Sequence, residues 1–181
     1  MLRVISGKFR GLKLESLPGL DTRPTLDRVK EALFSMLFTA CTDAVGLDLF
    51  AGSGALGIEL LSRYGNECTF VDLSSEAVGV VRNNVKKAGL EDQSLIIQKD
   101  AISFLQSTDK KYDIIFMDPP YLSGLYDRAL SVILERGLLN PSGIITLECA
   151  PDYTFNSDGY NIIKDKTYGK VRLCLLEAKH I

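Results

Sequence analysis

Between residues 45 and 149, short apolar runs alternate with amphipathic stretches, and this alternation restricts the possible folds more than any other feature. VGLDLF reads as a strand, GALGIELLSRY as a helix, ECTFVD as a strand and SSEAVGVVRNNVKKAG as a helix closed by Gly89. The order continues with the strand SLIIQKD, the short helix AISFLQS, the strand YDIIFMD, the helix LYDRALSVILERG and the strand GIITLEC. Almost wholly apolar strands separated by helices call for a parallel sheet covered by helices on both faces. The end of the chain, GYNIIKDKTYGKVRLCLLEAK, reads as two antiparallel strands around a turn at Tyr168-Gly169.

The stretch ahead of this alternation is different in kind. LRVISGKFRGLKLE alternates apolar and polar residues around Gly7 and Gly11, which predicts a small hairpin. It holds too few apolar residues to be needed by the sheet core. Thr25 is then expected to cap a helix with Leu26, Val29, Leu33, Met36 and Leu37 on one face. Residues 1–30 carry seven lysines and arginines against three acids, whereas the rest carries fourteen against twenty. A basic arm on an acidic body suggests an anionic partner for the arm alone, the alternative being a solvated hairpin. The expected organisation is a hairpin and loop over residues 1–24 and one domain over residues 25–181.

Several classes drop out on composition. No apolar run approaches the roughly 18 residues of a membrane span, and the first residues lack a signal-peptide core, so a cytoplasmic protein is expected. Cys41, Cys68, Cys149 and Cys174 are far apart, without metal-ligand or redox spacing, and read as buried thiols. The one histidine, His180, is next to last, which speaks against histidine-based catalysis. No metal site is expected.

The first strand of the alternation runs into DLFAGSGALGIE. Gly52, Gly54 and Gly57 match G-x-G-x-x-G, and Asp72 follows Gly52 by 20 residues. Such glycines let a backbone approach a ligand, and an acid at the tip of the next strand can bind ribose hydroxyls. Both features suit any adenosine-containing ligand, a dinucleotide included. Against a dinucleotide stands Asp48, four residues before Gly52, which would repel a pyrophosphate but suit an ammonium and a sulfonium. The chain also leaves little room for a second domain to hold a hydride substrate. D-L-F-A-G-S-G closely resembles the first motif of S-adenosylmethionine-dependent methyltransferases. That resemblance assigns Gly52, Ser53 and Gly54 to the methionine part of the cofactor, Asp72 to its ribose and Asp100 to its adenine. Asp48, Phe50, Leu73, Ala101 and Asp118 complete the expected cofactor set. Asp72 and Asp100 each precede a helix pattern, so helix capping is expected alongside ligand contact.

The fourth strand ends in IIFMDPPYLSG. Proline can neither extend a sheet ladder nor continue a helix, and the residue before each proline is held extended. Asp118, Pro119, Pro120 and Tyr121 resemble the D-P-P-Y motif of methyltransferases acting on exocyclic amino nitrogens. Such a nitrogen is a poor nucleophile because its lone pair is delocalised into the ring. An Asp118 carboxylate and a Pro119 carbonyl accepting its two hydrogens would let it pyramidalise, with stabilisation growing as charge develops. Stiff prolines hold the acceptors in position. Tyr121 can stack on the base, a contact worth about 1–3 kcal/mol. The bland alternative is a proline-stopped strand with an exposed acid.

The motif alone leaves adenine, cytosine, guanine and protein glutamine open. VISGKFRGLKLESLPGLDTRPTLDRVKEALFSML, DLFAGSGALGIELLSR, FMDPPYLSGLY, GLLNPSGIITLE and KTYGKVRL together resemble the RsmD family of bacterial 16S rRNA (guanine-N2)-methyltransferases, over nearly the whole length. The serines after Asp72 in FVDLSSEAV depart slightly from the family pattern. The resemblance implies a Rossmann-like methyltransferase fold with a mostly parallel, seven-stranded sheet and an antiparallel C-terminal pair. It further implies S-adenosylmethionine as cofactor and a guanine of 16S rRNA in a partly assembled small ribosomal subunit as substrate. A monomer is expected. Lys8, Arg10, Lys13, Arg23, Thr25 and Arg28 are the candidate RNA-binding residues, since basic side chains on phosphates dominate RNA affinity. A dinucleotide-dependent oxidoreductase and a catalytically silent RNA-assembly factor are the remaining alternatives.

Overall fold

The computed structural model describes residues 2–18, 24–119 and 124–179. Seven strands form one sheet: β1 (Val45–Asp48), β2 (Glu67–Asp72), β3 (Ser94–Gln98), β4 (Tyr112–Met117), β5 (Leu139–Cys149), β6 (Tyr160–Tyr168) and β7 (Val171–Ala178). Their spatial order is β3-β2-β1-β4-β5-β7-β6, parallel through β5 and antiparallel at β7 and β6. Among the described residues five α-helices accompany them: α1 (Pro24–Met36), α2 (Ala55–Ser62), α3 (Ser75–Ala88), α4 (Ala101–Ser107) and α5 (Leu125–Glu135). This is the Rossmann-like arrangement expected from the sequence.

The period of two along β4 explains the layering. Ile115 and Met117 join the core made with α4 and α5, whereas Ile114 and Phe116 join the core made with α1. A third cluster unites α2 and α3 with Cys68 and Phe70 of β2. Gly57 allows this packing, because a Cβ there would lie 2.3 Å from the Phe70 ring. The third glycine of the fingerprint therefore serves helix–strand contact. All four cysteines are buried, as expected.

Several local expectations are corrected. Helix α1 begins at Pro24, so Thr25 lies inside the first turn and is not its cap. Proline suits that first position because the missing amide would have no helical partner there. The C-terminal turn is Gly169-Lys170, since Tyr168 still pairs with Val171. The N-terminal segment folds back on itself as expected: among the described residues one antiparallel bridge, Arg3 with Lys13, is flanked by backbone hydrogen bonds from Val4 to Leu12 and from Leu14 to Leu2.

That segment is nonetheless built into the core. Val4 and Leu14 are buried against α2 and α3, contrary to the expectation that its apolar residues are dispensable. Glu59, fully buried in α2, accepts hydrogen bonds from the Ile5 and Ser6 amides at 2.8 and 3.0 Å. It also pairs with Lys30 at 3.2 Å and Arg63 at 2.9 Å, while the Lys30 ammonium donates to the Arg3 carbonyl at 2.5 Å. One carboxylate thus ties the arm, α1 and α2 together. Burial lowers the Lys30 pKa, and the Glu59 charge opposes that shift.

Candidate active site

Strand order decides where a ligand can sit. From β1 the chain winds outward to β2 and β3, then returns to place β4 on the other side of β1. Open α/β sheets bind ligands at the carboxyl ends of the strands beside such a reversal. Here those ends carry Asp48, Asp72 and, one residue past β4, Asp118. A cleft in two lobes opens above them.

The first lobe, a cavity of about 570 Å³, is lined by Asp72, Leu73, Asp100, Ala101, Lys99 and Pro119 among others. The second is a smaller cavity of about 240 Å³ between Asp48, Ser53, Lys30, Ser16, Asp27 and Glu148. Leu17, Phe50, Gly52 and Asp118 line both lobes, so the two meet at Asp118. All the expected cofactor residues except Gly54 line this cleft. Gly54 is buried just behind it, at the head of α2.

The loop between β1 and α2 is shaped by its neighbours. Gly52 and Gly54 adopt φ of +54° and +76°, conformations that favour glycine. The Gly52 amide donates to Asp72 Oδ2 at 2.8 Å, and the Gly57 amide donates to Asp48 Oδ2 at 3.0 Å. Burial pushes the Asp48 carboxyl up to about 7, although the Gly57 hydrogen bond lowers it. Near neutrality Asp48 is therefore only partly charged, and its main observed role is to hold the start of α2. That weakens charge repulsion as an argument against a pyrophosphate.

The two other acids differ. Asp72 Oδ1 accepts from the Ser74 amide at 2.9 Å, and Ser74 itself caps α3 by accepting from Ala77. The expectation that Asp72 caps that helix is thus corrected. Asp100 does cap α4, accepting from the Ser103 amide at 2.8 Å. That hydrogen bond holds its carboxyl below the ordinary value. Ionised carboxylates offer about four lone-pair sites, so both acids keep capacity for ligand hydroxyls or an amino group. Between them Leu73 leaves 69% of its surface exposed, an apolar face fit for an aromatic ring. Paired acids, a glycine cradle and an exposed leucine fit an adenosine-bearing cofactor.

At the junction, Asp118 is exposed to the cleft, with many protein atoms around its carboxyl. Loss of surrounding water holds its carboxyl above the ordinary value. Glu148 of β5 lies beside it, and burial together with the Asp118 charge raises its carboxyl as well. The sequence did not single out Glu148. An acid inside an apolar strand was the available signal, but only the sheet order shows that it neighbours Asp118. Pro120 and Tyr121 lie outside the described residues.

Of the candidate RNA-binding residues, Lys8, Arg10, Lys13 and Arg28 do not line the cleft. All four are exposed. Arg10 and Arg28 share a surface hollow with Arg3, Arg63 and Phe38, the last 76% exposed. Lys8 Nζ lies 5.0 Å from the centre of the Tyr64 ring. Arg23 lies outside the described residues, as does the side chain of Thr25.

A seven-stranded sheet of this order, with a glycine loop and strand-end acids around one cleft, defines a Rossmann-like methyltransferase. Residues 2–177 match the family model described as conserved hypothetical protein 95. The ribosomal RNA small subunit methyltransferase D of Haemophilus influenzae is 34% identical, over 94% of this chain and 90% of its own length. The protein of the same name from Escherichia coli K12 is 38% identical, over 81% of this chain and 74% of its own length. The solved structure of Escherichia coli yhhF is similar over 98% of both chains, with a TM-score of 0.87 and 33% identity. The chain belongs to the RsmD family.

Proposed function

We propose that this methyltransferase uses S-adenosylmethionine to methylate the exocyclic N2 amino group of a guanine in 16S rRNA. The substrate in this reading is the partly assembled small ribosomal subunit. The observation that carries it is the position of Asp118, where the lobe suited to adenosine meets the second lobe. Relatives named as small-subunit rRNA methyltransferases support the substrate class.

The bound cofactor supplies an electrophilic methyl group. Asp72 and Asp100 hold its ribose and adenine, and Leu73 and Ala101 pack on the ring. The Gly52–Gly54 loop, with Phe50 and Asp48, holds its methionine end. Asp118 and the Pro119 carbonyl accept the two amino hydrogens of the base, which turns the nitrogen lone pair toward the methyl carbon. A charge-assisted hydrogen bond of this kind is worth roughly 1.5–3 kcal/mol. Asp118 takes the proton that the alkylated nitrogen releases, and Tyr121 stacks on the extruded base. Positioning does most of the work.

Docking falls to the arm and α1. Lys8, Arg10, Lys13, Arg23 and Arg28 hold rRNA phosphates, with Thr25 beside them, and Arg3, Arg63 and the exposed Phe38 extend the same face. In this reading residues 1–24 are the docking element of a catalytic domain over residues 25–181, acting as a monomer in the cytoplasm. Among the described residues no helix is long and apolar enough to cross a membrane.

Mass mapping of 16S rRNA from a strain lacking this gene tests the proposal. One N2-methylguanine should be lost, restored by the wild-type gene and not by Asp118→Ala. An unchanged methylation pattern would overturn it.

A further inference from the structure

We propose that Glu148 selects guanine by accepting the hydrogen of its ring N1 beside the amino group held by Asp118. The inference rests on the guanine reading above and adds a specificity residue to it.

The geometry begins with the sheet. Met117 and Leu147 are register partners on β4 and β5, and Asp118 and Glu148 directly follow them. Two carboxylates therefore stand side by side at neighbouring strand ends, and both line the smaller lobe of the cleft. Among the described residues no donor hydrogen-bonds to either carboxylate. The other strand-end acids are occupied, Asp48 by the Gly57 amide and Asp72 by the Gly52 and Ser74 amides. The Glu148 backbone is fixed from behind, since the Tyr126 hydroxyl donates to its carbonyl. Lys30 also lines the lobe, but its ammonium is held by Glu59 and the Arg3 carbonyl.

Two adjacent acceptors with no donor among the described residues suit a ligand that presents adjacent donors. Flipped bases are read by hydrogen bonds along their Watson–Crick edge. Guanine alone among the standard bases places a ring N–H directly beside its exocyclic amino group. Adenine and cytosine place a lone pair there, which an ionised Glu148 would repel. A site built to bind an N–H discriminates strongly against an analogue lacking it, because its own polar group is then left unpaired. The directions of the pKa shifts agree. Burial raises both carboxyls, Asp118 to about 6 and Glu148 to about 8 with the Asp118 charge adding to the latter, and a hydrogen bond from a base N–H would favour the charged form.

The test uses small subunits reconstituted with 16S rRNA carrying either guanine or 2,6-diaminopurine at the methylated position. Diaminopurine keeps the 2-amino group but has no hydrogen on N1. The wild-type enzyme should show kcat/KM lower by roughly ten- to a hundredfold on diaminopurine, the range expected for one charge-assisted hydrogen bond. Glu148→Gln, whose amide can donate to an unprotonated N1, should lose activity on guanine and narrow or reverse that ratio. S-adenosylhomocysteine affinity should stay within a few-fold. Equal wild-type rates on the two bases would overturn the proposal without any variant. A Glu148→Gln enzyme that keeps the wild-type ratio would overturn it as well. Wild-type methyl transfer to an adenine or cytosine would instead overturn the guanine reading on which it rests.

Discussion

Asp72 Oδ2 accepts the Gly52 amide at 2.8 Å, so the acid at the tip of β2 locks the glycine loop that follows β1. The 20-residue spacing of the fingerprint thus has a purely local consequence as well as a ligand-facing one. Replacing Asp72 with Ala removes the loop's anchor and the proposed ribose acceptor together. S-adenosylmethionine binding should weaken by on the order of 1–3 kcal/mol. Calorimetry showing unchanged affinity would move the ribose away from Asp72.

Glu59 is the hub joining the arm to the sheet domain. Glu59→Ala leaves the Lys30 ammonium buried without its partner and the Ile5 and Ser6 amides without an acceptor. Breaking one side of a buried pair typically costs about 3–5 kcal/mol. A large drop in the thermal midpoint is expected, with faster amide exchange at Ile5 and Ser6. If the midpoint moved by no more than an exposed substitution does, the hub would be unnecessary.

Asp48 gives stability a specific pH dependence. Its folded pKa, about 7, lies above the usual value of roughly 4 for an unfolded aspartate. The folded state therefore binds the proton more tightly, and the contribution is complete below pH 4. It is lost as pH rises from about 4 through 7. Asp48→Asn should abolish this decline, so the stability gap between variant and wild type should widen in the variant's favour by a few kcal/mol from pH 4 to pH 7. Denaturant titrations giving a constant gap would show that Asp48 does not carry the effect.

The exposed arm offers a test of docking. Replacing Lys8, Arg10 and Lys13 together with Ala should weaken binding to small subunits. Each lost phosphate contact should flatten the log–log salt dependence by about 0.7–0.9. The thermal midpoint should hardly move, because exposed substitutions usually lie within about 0.5 kcal/mol. Val4 and Leu14, which anchor the arm, are left intact. Filter binding across a salt series that retained the wild-type slope would shift docking to Arg3, Arg28 and Arg63.

The sequence made much of this legible, and its limits have physical reasons. Apolar strands and the G-x-G-x-x-G spacing are local patterns, so the sheet, the loop and the positions of Asp72 and Asp118 could all be read. Caps depend on single hydroxyl placements, and Ser74 replaced Asp72 as the cap of α3. The proline at the start of α1 outweighed Thr25. Glu59 resembled an ordinary helix acid; a lone charge among apolar neighbours in α2 was the overlooked hint. Its burial comes from an arm more than fifty residues away in the chain. Glu148 was invisible for a similar reason, because nothing local states that β5 lies next to β4.

Asp118 is the centre of the account, and one assay addresses it most directly. Small subunits lacking the modification are incubated with radiolabelled S-adenosylmethionine and either wild-type enzyme or Asp118→Ala, and the labelled nucleoside is identified. The wild type should yield N2-methylguanosine, and the variant none, with S-adenosylhomocysteine affinity within a few-fold of wild type. Substantial turnover by Asp118→Ala, or label on any other nucleoside, would contradict the account.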